Sequence, residues 1–372
     1  MLLRSLWLVS LLTALVAPTW AADAVSPQDR ELLRFAERAI AYWPDSEFSI
    51  TSSERGMTPA GSYRRVDVKR VCDSEVLSST VALVVDDVAD SVWFGSAAKL
   101  PVEQLAADPA ALRAFLDQFL PQALLGSLRM KATLDWDDPP FRAGALLPFW
   151  LKIDTGYGEY RKAAAVTADG AYVVLGPVFP VDTDLVAYRR EQLAGSDLVV
   201  WDRVTSDDAP VAIVEFSDLE CPACRARWPM IKEALESGGA KVKHGMVSFP
   251  LTTIHPWAFR AASASWCVAE QSPSMLLPFK ELFYELQPEM EVSLVTETAR
   301  DFVEGNGLDS EAFNSCYLRP PSLEAVHRQI ALGNAMGVMA TPTYFVNGWM
   351  VSMPDAEWFS SLVERLAAGE EP

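Results

Sequence analysis

The chain has 372 residues, half of them apolar and a tenth aromatic, a composition that suits packed domains and excludes a disordered chain. Its length points to two domains. With 31 basic against 50 acidic residues the formal net charge is −19, which argues against nucleic acid as a partner, since phosphate binding wants clustered Lys and Arg. In chain order, Met1-Leu-Leu-Arg4, an apolar run over 6–17 and then Ala21-Ala22 make a basic start, a short apolar region and a small-residue cleavage site. The run is too short to span a bilayer comfortably. Residues 1–21 therefore read as a secretory signal cut near Ala21, with a periplasmic or secreted destination and a soluble mature protein. Such a compartment is one in which disulfides persist.

Ser26-Pro27 opens a helix whose apolar face runs Leu32, Leu33, Phe35, Ala36 and Ile40. Alternating segments at 63–71, 76–85 and 91–94 read as strands of a mostly antiparallel sheet. Asp108-Pro109 opens a second helix to about Leu125. Further strands are expected at 128–136, 149–154, 161–166 and 171–178, with Ala168-Asp169-Gly170 as the turn between the last two. Asp135, Asp137 and Asp138 are acidic neighbours, read as a solvated turn before Pro139-Pro140 rather than as a metal site. Residues 178–184 and the polar stretch 188–197 mark a boundary. The expectation is an α+β N-terminal domain over 22–195 with no catalytic constellation, and a second domain over 196–372.

The second domain opens with a buried strand at 211–216, then Ser217-Asp-Leu-Glu-Cys221-Pro-Ala-Cys224. Pro222 fits the first position of a helix reaching about Ser237, so Cys221 stands at a helix N-terminus, where orphan N–H groups favour a thiolate. Cys224 lies one turn on, within disulfide reach. A bare C-x-x-C also serves haem and zinc sites. Haem attachment needs His after the second Cys, and Arg225 is there; a zinc ribbon needs a second C-x-x-C, and there is none. After a strand at 241–249, residues 252–337 are helical with Pro breaks. His255, before Pro256, reads either as a groove residue or as a helix entry. Ala340-Thr341-Pro342 then precedes a strand that turns at Asn347-Gly348, a strong hairpin signal, and a last helix runs over 355–368. A proline opening a strand is either cis or an ordinary trans residue.

Phe216-Ser-Asp-Leu-Glu-Cys-Pro-Ala-Cys224 followed by Ala340-Thr-Pro-Thr-Tyr-Phe-Val-Asn-Gly348 resembles the DsbA-like branch of the thioredoxin superfamily. The resemblance covers 198–369 and implies an α/β thioredoxin-like domain with a helical insertion at about 252–337. It implies that Cys221 is the attacking cysteine and Cys224 the resolving one. It makes Pro342 a cis-proline facing them, after Thr341, in a segment that pairs with extended substrate peptides. Glu215, six residues before Cys221, matches a buried acidic position that handles the proton of the second cysteine; a salt-bridged strand-end carboxylate is the other reading. Burial would raise its pKa. Ala223 stands where strongly oxidising members carry His, which implies a weaker oxidant. Cys267 and Cys316 share the helical insertion and are expected to form a structural disulfide, an arrangement that recurs in some relatives. Cys72 is left alone in the other domain.

The function these residues point to is thiol–disulfide exchange on exported proteins through the Cys221–Cys224 disulfide, needing no cofactor and a membrane partner for recycling. Three other readings stay open. One is an isomerase or reductase, dimeric through the N-terminal domain; another is a module whose cysteines hold a metal or staple the fold. In the third, the N-terminal domain docks a client.

Overall fold

The computed structural model describes residues 26–40, 46–71, 79–88, 90–101, 109–125, 131–142, 144–203, 208–351 and 356–370. The expected signal segment and Cys72 lie outside them. Helix α1 (Pro27–Ala39) starts at Ser26, whose hydroxyl caps it by accepting from the Asp29 amide at 3.1 Å. Strands β1 (Glu47–Thr58), β2 (Gly61–Val71), β3 (Ser79–Asp86), β4 (Ser91–Phe94) and β5 (Ser96–Lys99) follow, then α2 (Pro109–Leu125). Next come β6 (Lys131–Asp135), β7 (Leu146–Asp154), β8 (Glu159–Thr167), β9 (Tyr172–Leu175) and β10 (Val178–Pro180).

These strands form two antiparallel sheets, ordered β1-β2-β3-β4-β10 and β5-β9-β8-β7-β6, where the sequence suggested one. Strand alternation explains the stacking. Tyr63, Val84 and Trp93 of the first sheet meet Leu146, Ala165 and Val174 of the second. On the outer faces, Val66, Val68, Leu83 and Val85 pack under α1, while Phe149, Leu151, Val166 and Val173 pack under α2. The layers therefore run helix, sheet, sheet, helix.

Helix α3 (Leu185–Ala194) links this unit to a third sheet, ordered β11-β13-β12-β14-β15. Its strands are β11 (Val200–Arg203), β12 (Val211–Ser217), β13 (Val242–Ser248), β14 (Thr343–Val346) and β15 (Trp349–Val351). Only β12 and β13 run parallel, joined by helix α4 (Pro222–Gly238). Between β13 and β14 lie α5 (Ala258–Gln271), α6 (Leu276–Leu286), α7 (Val295–Gly305), α8 (Ser310–Cys316) and α9 (Pro320–Met336); α10 (Ala356–Ala367) closes the fold against α4. A parallel βαβ unit, a helical insertion and an antiparallel hairpin with a final helix make this a thioredoxin-like α/β fold. A disulfide joins Cys267 on α5 to Cys316 on α8. Asn347 and Gly348 both have positive φ, as the two-residue hairpin turn requires.

Tyr157 and Arg189 are among the side chains that weld the halves together. In the β7–β8 turn, Tyr157 stacks on Phe259 of α5 with ring centroids 4.8 Å apart. Arg189 of α3 is fully buried and donates to the carbonyls of Arg38, Ala39 and Met336 at 2.7, 3.2 and 3.3 Å. Those carbonyls are the C-terminal ends of α1 and α9, where helix dipoles favour a cation.

Candidate active site

Strand β12 delivers the chain to a tight turn at Asp218-Leu219-Glu220, and Cys221 is the N-cap of α4. Pro222 occupies the first helical position without loss, because that N–H has no helical partner. Across from this turn, α9 ends at Gly337 in the left-handed conformation, and the chain runs out to Thr341-Pro342, whose peptide bond is cis. The Cys221 sulfur lies 3.4 Å from the Thr341 carbonyl oxygen. The structure thus brings Cys221, Cys224, Thr341 and Pro342 to one place from two distant parts of the sequence.

The two cysteines, both free thiols, differ in surroundings. Cys221 is 5% exposed and Cys224 fully enclosed. The neighbouring Cys224 thiol stabilises the Cys221 thiolate most, with help from Thr341 and the amides of Cys224 and Ala223; against the cost of burial, these draw the Cys221 pKa down to about 5. Burial pushes Cys224 well up, and the charges of Cys221 and Glu215 add to that. At neutral pH one sulfur is a thiolate and the other holds its proton.

Around them lies a polar shell. Asp218 Oδ2 accepts from the Leu251 amide at 2.8 Å and from His255 Nδ1 at 2.7 Å. That carboxylate raises the His255 pKa and ties the loop before α5 to the turn that carries Cys221. Glu220 accepts from the Trp257 amide at 2.6 Å, and half-burial raises its pKa to about 7. Gln287 donates to the carbonyls of Leu219 and Cys221 at 2.8 and 3.2 Å. Glu220, Pro222, Arg225, Trp257, Gln287 and Met290 line a cleft of about 360 Å³. A wider cleft of about 770 Å³, between β7–β8 and α9, shares no lining residue with it.

Glu215 fits the second of its two readings, a salt-bridged carboxylate, and not the raised pKa expected from burial. It is buried beneath the site, and burial alone would raise its pKa, but Lys280 at 2.5 Å and His244 at 3.6 Å hold the carboxyl well below the usual carboxylate range. Glu215 is thus an ionised carboxylate rather than a raised one. Lys280 could have been found in the sequence: it shares a helical face with Leu276, Phe283 and Tyr284, all buried. A Lys on an apolar stripe needs a buried counter-charge. Asp218, Glu220 and Gln287 carry no such signal, because their roles depend on loops meeting in space.

Among the described residues, no group of three or more His, Cys, Asp or Glu is arranged to hold a metal ion. Asp135 instead pairs with Lys152 at 2.7 Å and accepts from the Asp137 amide, a local turn. Cys267 and Cys316 are tied to each other within the helical layer.

Residues 204–365 match a family model described as thioredoxin. Among curated proteins, the chain is 28% identical over 214 residues to the Na(+)/H(+) antiporter NhaA 3 of Salinispora tropica, which covers 55% of this chain and 28% of that protein. It is 29% identical over 181 residues to disulfide bond formation protein D of Bacillus subtilis, covering 44% and 76%. The chain thus spans little more than a quarter of the length of the antiporter relative. Among solved structures, BdbD from Bacillus subtilis in its oxidised form is 25% identical with a TM-score of 0.41, covering 46% of this chain and 94% of that one.

Proposed function

We propose that residues 204–365, which match a family model described as thioredoxin, form a DsbA-like domain and that the chain is a thiol–disulfide oxidoreductase that forms or exchanges disulfides in exported proteins through Cys221 and Cys224. The observation that carries this reading is the asymmetry of the pair: a low-pKa sulfur at a helix N-terminus, in a residue 5% exposed, beside a fully enclosed protonated one. In the oxidising direction a substrate thiolate attacks Cys221 of the Cys221–Cys224 disulfide. That S–S bond breaks, Cys224 leaves with the electron pair and takes a proton, and a mixed disulfide forms at Cys221. The second substrate thiolate then attacks the substrate sulfur, and Cys221 leaves as a thiolate. The substrate has lost two electrons and the pair has gained them.

A stabilised Cys221 thiolate favours the reduced form, and so favours oxidation of the substrate. This offsets the weakening expected from Ala223, because the Cys224 thiol, Thr341 and local amides supply the stabilisation. The Thr341-Pro342 segment would pair with an extended substrate, and its carbonyl already lies against Cys221. The pair would be reoxidised by a membrane redox partner. The exported location rests on the apolar run at the N-terminus and on the redox chemistry.

The test is trapping. Cys224→Ser, mixed with a disulfide-containing protein substrate, should accumulate a mixed disulfide at Cys221 as the substrate's second sulfur leaves with the electron pair, visible as a shifted band without reductant. Cys221→Ser should form none and lose exchange entirely. Full exchange activity in Cys221→Ser would sink the mechanism.

A further inference from the structure

Beneath the cysteines four ionisable side chains stand in a row of alternating sign, drawn from four elements: Asp202 of β11, His244 of β13, Glu215 of β12 and Lys280 of α6. All four side chains are at most 1% exposed. The register of the parallel pair puts Ile213, Glu215 and Ser217 on the same face as His244, Met246 and Ser248, the face that α4 covers. Asp202 reaches that face through a β-bulge. Between Val200 and Arg203, β11 spends three residues where β13 spends two between Met246 and His244. A bulge re-aims a side chain, and here it brings Asp202 Oδ1 to 2.7 Å from His244 Nδ1.

Burying charges is costly unless they are paired, so this cluster asks for a reason. Lys280 Nζ lies 2.5 Å from Glu215 Oε2 and 3.9 Å over the Trp228 ring. His244 Nε2 and Asp202 Oδ2 make no hydrogen bond, and the ring nitrogen points at Glu215 Oε2, 3.6 Å away. From the remaining packed elements, His244 faces the neutral Trp228 of α4 and has the half-buried Arg203 as its ladder partner. An aspartate that fixes one ring nitrogen orients the other and favours its protonated form. Lys280 alone would neutralise Glu215. The His244–Asp202 pair adds a second cation and its own counter-ion, at the desolvation cost of two more charges.

We propose that Asp202 and His244 are positioning residues for Glu215: they hold its carboxylate in place beside Cys224 and offset its negative charge there, and so set the balance between the dithiol and disulfide forms of the pair. The inference rests on the reading of Cys221 and Cys224 as the redox pair. Reducing that disulfide adds two electrons and leaves a thiolate at Cys221 and a proton on Cys224. Glu215 acts on the Cys224 thiol that shares this new charge with Cys221, so the charge state of the row and the redox state of the pair are linked. Linkage is reciprocal. If His244 biases the pair, the state of the pair must bias the protonation of His244.

Two measurements test this. The first uses the unsubstituted chain, whose three histidines make proton NMR tractable. The His244 ring should titrate at a higher pH in the reduced than in the oxidised protein. Titration at the same pH in both states, or in neither, overturns the proposal and requires no variant to fold. The second is the equilibrium with glutathione. His244→Gln and Asp202→Asn should each move the equilibrium constant toward the disulfide by about five-fold or more. In a Glu215→Gln background the His244→Gln shift should shrink by more than half. A full shift in that background would mean that His244 acts directly on the sulfurs, which also overturns the positioning role. A pair that never equilibrates with glutathione, even unsubstituted, would instead refute the redox reading beneath it.

Discussion

Cys221 and Cys224 have the same side chain and stand one helical turn apart, yet their surroundings divide the labour between them. The prediction at this scale concerns pH. A group with a lowered pKa keeps its ionised form down to that lowered value, so Cys221 should alkylate at full rate near neutrality and lose reactivity only as pH falls through about 5. Because the Cys224 thiol is the largest stabiliser of the Cys221 thiolate, Cys224→Ala should raise the midpoint of that profile. Iodoacetamide labelling across pH 3–9 reads both; an unmoved midpoint would remove Cys224 from the account. Much of this was legible in the sequence, since Cys221-Pro222-Ala223-Cys224 after an apolar strand specifies a helix start. The charge on Glu215 was not, because it depends on Lys280 and His244, which lie 65 and 29 positions further along the chain.

Among elements, the β7–β8 turn does the most with the fewest residues. It carries Tyr157 into the groove beside α5, and Gly158 passes so close to α9 that an added Cβ would sit 2.6 Å from His327 Cε1. Gly158 also has φ +132°, a conformation that L side chains rarely adopt. Gly158→Ala should therefore cost about 1–3 kcal/mol from backbone strain, and more from the clash. Gly156, at φ +80° in the same turn, has open space where its Cβ would go, and Gly156→Ala should cost less. Urea denaturation of both variants compares them, and equal losses would mean that the contact with His327 contributes nothing. The elements that the sequence hid share a cause. β1 is an edge strand of mostly polar residues, so its alternation carries little apolar signal. α3 reads as a polar boundary because Arg189 occupies its buried face, where an apolar residue would have revealed a helix.

At the scale of the whole molecule, the chain divides into a four-layer unit and a thioredoxin-like unit, and α3 belongs to both. Arg189 and Tyr157 bury their contacts across the boundary, so the two units should unfold together. Equilibrium urea unfolding followed by tryptophan fluorescence and by far-ultraviolet circular dichroism should give one coincident transition. Arg189→Met would leave three carbonyls without their donor, at about 1–3 kcal/mol each. Two resolved transitions in the unsubstituted protein would refute the joint. Length and composition suggest two domains, whereas the second N-terminal sheet carries no such signal. Strands of either sheet carry the same alternation, and only long-range pairing assigns them. The Arg189 joint has a further consequence. Its partners are peptide carbonyls, which do not ionise, and its own pKa, drawn down by burial to about 9, still leaves it charged at neutrality. Acid that protonates Cys221 leaves this joint untouched, so the chemistry can be switched off by pH while the frame that aligns α9, and with it the Thr341-Pro342 segment, stays assembled and ready to resume.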